Sequence, residues 1–148
     1  MKTTKKYGDK IDLALDTWVK LARAFSTFNK KSIENIRSFN LTQSQFSVLE
    51  VLGHLGPMKI GDVCEKMLVS GGNMTLILDN LEKLELTERV FSKEDRRAIN
   101  VKLTEKGQNL FDTIFKQHAE FVEKRMSILN EDEQTQLGLL LKKLGKAL

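Results

Sequence analysis

The stretch from Lys59 to Leu103 constrains this chain more than any other. Ile60, Val63, Cys64 and Met67 recur at helical spacing, and a second helical run follows almost at once, with Met74, Ile77, Leu78, Leu81 and Leu84 on one face. Ser70 stands where the second helix begins, and its hydroxyl can accept a backbone N–H of the first turn. Gly71 and Gly72 lie just inside, with Asn73 and Thr75 close behind. The first turn thus exposes small and polar groups, while later turns bury leucines. Such a helix can sit deep in a groove and offer its N-terminus to a phosphate. An ordinary amphipathic helix with a glycine-loosened start has the same pattern, and the helix alone does not separate the two.

The residues that follow shift the balance. Thr87 to Phe91 form one expected strand, and Ile99, Val101 and Leu103 alternate with Asn100 and Lys102 in a second. Between them, Ser92-Lys93-Glu94-Asp95-Arg96-Arg97-Ala98 makes a strongly hydrophilic tip. An arginine on such a tip can enter a narrow minor groove, where the potential is most negative. Asp95 lies two residues before Arg97 and can orient it through a charge-assisted bond. A charged turn is usually only solvated, but directly behind a helix-turn-helix that reading becomes the weaker one. Short helix, turn, second helix and charged hairpin are the order of a winged helix-turn-helix.

Asp95-Arg96-Arg97, then Val101-Lys102-Leu103-Thr104 and Gly107, resemble the D-x-R…LT..G wing signature of the multiple-antibiotic-resistance-regulator (MarR) family. The run VSGGNMTLILDNLEKLEL is similar to that family's recognition helix. The resemblance covers nearly the whole chain. It implies a bacterial homodimeric transcriptional regulator, usually a repressor and often released by a small molecule. Three positions depart from the family pattern. Lys59 stands where a capping threonine is common, Glu85 where a glycine often ends the recognition helix, and Leu76 where a basic or polar base-reading residue is usual. Leu76 leaves the operator preference open; an apolar side chain there can touch a thymine methyl.

The flanks complete the expected fold: mainly α, with a small β-hairpin wing, as a single domain over residues 1–148. The winged helix-turn-helix lobe would span 41–103, between dimerisation helices at 9–36 and 104–148. From Asp9 to Ile36, one row holds Ile11, Trp18 and Phe25 and another Ala14, Leu21 and Phe28, a stripe wide enough for more than one neighbour. Leu41 to Leu55 begins with Thr42 and Gln45 as a capping box and Leu41 and Phe46 as a hydrophobic staple, and ends at Gly56-Pro57. Thr104 can cap the next helix, striped by Phe111, Phe115, His118, Val122 and Met126. Asn130 and Glu133 make a second capping box before Leu137, Leu140, Leu141, Leu144 and Leu148. The terminal helices carry more apolar surface than one small domain needs to bury. Such surface usually marks association, and the resemblance assigns it to a dimer.

Composition bounds the function classes. With 148 residues the chain suits one domain with a real core, and its net charge of +4 and pI of about 9.2 allow nucleic acid without demanding it. No apolar region follows the lysine-rich start, and no run approaches membrane-spanning length, so a cytoplasmic protein is expected. Cys64, the single cysteine, reads as a small packing residue of the first motif helix, and neither His54 nor His118 has the neighbours of a metal site. Without paired carboxylates, a phosphate cradle or a base for Cys64, no catalytic residue, metal or cofactor is expected.

The expected partner is therefore double-stranded DNA, bound as a pseudopalindromic operator by a homodimer. Ser70, Gly72, Asn73, Met74 and Thr75 would face bases or nearby phosphates. Arg97 would enter the minor groove, with Asp95 beside it and Arg96 and Lys93 on the backbone. Trp18, Phe25, Phe46 and Phe111 are the candidate lining for an aromatic or phenolic effector. A protein-interaction module without specific DNA binding is the alternative.

Overall fold

A computed structural model describes residues 6–67, 70–91 and 99–147. These residues form α1 (Asp9–Arg37), α2 (Gln43–Leu55), β1 (Met58–Lys59), α3 (Ile60–Met67), α4 (Gly71–Lys83), β2 (Thr87–Phe91), β3 (Ile99–Leu103), α5 (Glu105–Met126) and α6 (Glu131–Gly145). The chain is mainly helical, as the sequence predicts, and its small antiparallel sheet has the order β1-β3-β2, one strand more than the expected hairpin. Its core gathers side chains from the end of α1, from α2, α3 and α4, from β3 and from the middle of α5.

Local chemistry explains most of the element ends. Thr42 accepts the Gln45 N–H at 3.2 Å, while the Gln45 side chain accepts the Thr42 N–H at 2.8 Å. Leu41 and Phe46 are both buried beside this box, so the staple closes as expected. The helix starts at Gln43 rather than Leu41, because the cap and the staple residue stand outside it. Gly56 ends it at φ 75, a left-handed conformation that glycine adopts without strain.

The sequence missed β1. Met58 pairs with Val101 and Lys59 with Asn100, so Lys59 is the last residue of a strand as well as the residue before α3. Two residues are too few for an alternation to show. The strand hands the chain directly to α3, whose Val63 is fully buried.

The end of α4 shows how the chain tolerates Glu85. Leu86 N–H donates to Leu81 O and Glu85 N–H to Glu82 O, both at 2.9 Å, which is a Schellman closure. Such a closure needs a left-handed residue, and Glu85 supplies it at φ 60. A side chain there costs about 1–2 kcal/mol. Partners from the next helix offset this. The Thr104 hydroxyl donates to Glu85 O at 2.6 Å, and Lys106 Nζ reaches the Glu85 carboxylate at 3.0 Å.

Strands β2 and β3 have the bounds the sequence predicts, in register from Thr87↔Leu103 to Phe91↔Ile99. Thr104 then caps α5 by accepting the Gly107 N–H at 3.0 Å, while its own N–H donates to Leu86 O at 3.1 Å. At Gly107 the helix lies so close to this carbonyl that a Cβ would stand 1.9 Å from Leu86 O. Both residues of the Leu-Thr-x-x-Gly run therefore join α5 to the turn after α4.

On α5, Phe111 and Ile114 are buried, and Phe115, His118, Val122 and Met126 continue the stripe half-buried. His118 Nδ1 meets Asn35 Oδ1 at 2.7 Å, and its ring stands edge-on to Phe46 with centroids 4.8 Å apart. Burial pushes its imidazole below the ordinary value of 6.5, against a smaller opposing pull from Glu50. The second half of α1 packs here, and Ile36 is buried. Its first half leaves Ile11, Leu13, Leu15, Trp18 and Val19 exposed. Helix α6 opens with the expected Asn130–Glu133 capping box but buries no residue. Leu148 lies outside the described residues.

Candidate nucleic-acid interface

Helix α4 presents two contrasting sides. Met74, Leu78 and Leu81 are fully buried, while Ser70, Gly71, Gly72, Asn73, Thr75 and Leu76 are exposed. Met74 therefore faces the core and meets no base. The helical turn that carries Asn73 and Thr75 outward carries Met74 inward, and its burial anchors the start of the helix. Ser70 occupies the N-cap position with extended backbone, but its side chain makes no cap hydrogen bond. The first-turn N–H groups that lack intrahelical partners thus gain nothing from its hydroxyl. Thr75 bonds back through its hydroxyl to Gly71 O at 3.2 Å.

The two glycines are not required by the lobe. Neither has positive φ, and a Cβ built at Gly71 or Gly72 would meet none of the described residues within 4 Å. Their small size leaves the outer face of the helix start open.

Arg89, on β2, braces this helix, a role that the strand pattern of Thr87 to Phe91 does not show. Its guanidinium pairs with Glu82 and, at 2.8 Å, with Asp79 Oδ1, and its backbone N–H donates to the Glu82 carboxylate at 3.0 Å. One residue thus ties β2 to α4 through two acids one helical turn apart. The legible signal was Asp79 and Glu82 at i and i+3 with a base on the following strand. The wing residues Lys93, Asp95, Arg96 and Arg97 lie outside the described residues. The strands that lead to them end at the exposed Phe91 and its partner Ile99.

The four aromatic residues expected to line an effector site do not come together. Trp18 and Phe25 lie on the open part of α1, 63% and 67% exposed. Phe46 is sealed between Phe39 and His118, and Phe111 lies against His54, Phe115 and the backbone of Gly53. Helical spacing placed each on an apolar face but could not show that the faces bury different things. A cavity of about 440 Å³ between α2, α5 and α6 is lined by Glu50, Phe115, His118, Val122, Met126 and Gln134 among others, and by none of the four. Among the described residues no His, Cys, Asp or Glu group could hold a metal ion, and no helix is long and apolar enough to cross a membrane.

The lobe's residues 41–99 match the sequence model of the MarR family. The HTH-type transcriptional regulator MhqR of Bacillus subtilis is 33% identical over 132 residues, which is 89% of this chain and 91% of that protein. The chain belongs to the MarR family. Another relative by sequence, the HTH-type transcriptional repressor MdtR of Bacillus subtilis, is 28% identical over 91% of this chain and 87% of its own length. The fold also matches MepR of S. aureus, solved as a complex with DNA. The TM-score is 0.77 and the identity 25%, over 88% of this chain and 98% of that one. MarR-family membership places the chain among transcriptional regulators, which are not an enzyme class.

Proposed function

We propose that this MarR-family protein is a homodimeric transcriptional repressor that binds a pseudopalindromic duplex, with residues 1–148 forming one domain. One observation carries the reading: an outward, small-residue face of α4, which the lobe's packing does not explain, braced by Arg89 on a fold matched by a DNA-bound relative. The two α4 helices of a dimer enter successive major grooves about 34 Å apart. Gly72, Asn73 and Thr75 face the bases, and Ser70 lies beside the backbone. Arg97 enters the minor groove with Asp95 beside it, and Lys93 and Arg96 meet phosphates. The exposed apolar residues of α1 and α6 pack against the second copy. A small molecule that favours one spacing of the two α4 helices would release the DNA by its differential affinity for the two states. The protein works in the cytoplasm and carries out no reaction of its own.

Fluorescence anisotropy on the duplex flanking the protein's own gene, titrated with salt and compared with random duplex, tests this. Specific binding whose affinity falls linearly on logarithmic axes is expected, and Arg97→Ala should flatten the slope by about one unit if it neutralises one phosphate. Failure to bind any duplex at low salt would leave a protein-interaction module in its place.

A further inference from the structure

We propose that Leu76 is a specificity-determining residue that packs against the 5-methyl group of a thymine in each half-site. This rests on the reading of α4 as the helix that enters the major groove. Leu76 is 64% exposed on a helix whose Met74, Leu78 and Leu81 are fully buried. Its exposure is not a consequence of a loose helix, because Arg89 braces α4 one turn further on through Asp79 at 2.8 Å.

The approach to Leu76 is open. The residue one turn before it is Gly72, and nothing lies within 4 Å of where a Cβ would point there. Among the described residues nothing stands between a base edge and the leucine on that side of the backbone. Among the four bases, the only apolar group on the major-groove edge is the thymine methyl. The rest of the face points the same way. No arginine or lysine occurs between Gly71 and Asn80, so these turns lack the usual partner of guanine. Asn73, three residues before Leu76, carries the amide that pairs with adenine N6 and N7. Asp79, three residues after it, is engaged by Arg89. The first turns of α4 thus carry groups that suit A·T pairs and lack the bidentate cation that reads guanine.

The experiment starts with the full-length protein and a duplex enriched from a random library. Each thymine is then replaced by deoxyuridine, which removes the methyl and nothing else. One position per half-site should lose about fourfold in affinity, the size expected for one methyl-sized apolar contact. Leu76→Ala should bind the thymine and uracil duplexes equally while keeping the salt slope and melting temperature, and Leu76→Met should keep the preference. Equal wild-type affinity for the thymine and uracil duplexes at every position overturns the assignment. So does a full methyl preference in Leu76→Ala. Either result leaves DNA binding intact, whereas failure of any duplex to enrich removes the reading of α4 and the thymine contact together.

Discussion

The winged lobe and the terminal helices have similar apolar periodicity and opposite fates. In the lobe, Val48, Leu49, Val63, Met74, Leu78, Leu81 and Val101 are fully buried. In α6, Leu137, Leu139, Leu140, Leu141 and Leu144 are all exposed, and the first half of α1 leaves Trp18 open to solvent. Each lobe element meets another within a few dozen residues of chain. Among the described residues, α6 and the first half of α1 find no such cover in their own chain. An apolar stripe therefore states that a face will be covered, and only the neighbourhood states by what. The lobe's core is closed within the chain with help from Ile36 and Ile114, whereas the apolar residues of α6 and of the first half of α1 are left uncovered.

The largest effect should separate the two regions outright. Leu78→Ala should destabilise the fold by about 2–5 kcal/mol in chemical denaturation, as deletion of a buried leucine does. Leu140→Ala should instead raise the dimer dissociation constant in sedimentation experiments, and its effect on melting should vanish at concentrations where the wild type is monomeric and grow as concentration rises through the dissociation constant. A Leu140→Ala loss independent of concentration would break the distinction.

Next comes the seam where the lobe meets α5. Gly107→Ala forces a methyl onto the Leu86 carbonyl and should cost about 1–3 kcal/mol by thermal denaturation. The same change at Gly72, where the space is open, should leave melting nearly unchanged and weaken DNA binding. If both glycines respond alike in both assays, the division between packing and recognition glycines fails.

Arg89→Ala sharpens the comparison within the lobe. Losing the bonds to Glu82 and Asp79 should cost about 1–2 kcal/mol of stability. Operator affinity should fall with it while the salt slope stays the same, because this charge is engaged by carboxylates and not by a phosphate. Arg89→Lys should restore little, since an ammonium cannot reproduce the fork across two acids. A flattened slope would make Arg89 a direct phosphate contact.

The smallest effect lies where α1, α2 and α5 meet. The folded-state value of His118 is lowered by burial, so the neutral ring is the form that fits beside Asn35, Phe46 and Glu50. Its contribution is complete above the ordinary value of 6.5 and is lost as pH falls through the lower folded value. Melting temperature should therefore decline modestly below pH 6.5, and His118→Gln should remove that part of the decline.

Much of the fold was legible because its signals are local. Thr42 with Gln45, Asn130 with Glu133, and the alternation around Val101 each announce a boundary or a face within a few residues. What escaped was set by distance in the chain. β1 exists only because β3 lies beside it, and Arg89 matters only because β2 passes α4. The site was legible to the same degree. Sequence spacing put Asn73, Thr75 and Leu76 on one helix turn, but it also put Met74 there, and only the packed core shows which of these faces outward. The same reason separates Trp18, Phe25, Phe46 and Phe111 within one copy of the chain, since four aromatic residues on apolar faces need not share a cavity.

The sequence alone determined the helices, the hairpin strands, most of the caps and the family resemblance, because hydrogen bonds within a turn and periodicity within a helix depend on near neighbours. Tertiary structure alone decided that β1 exists, that Met74 faces the core and not the groove, which glycine admits no side chain, and which acids hold Arg89. Those outcomes depend on contacts between segments far apart in the chain, and no local pattern encodes the distance between them.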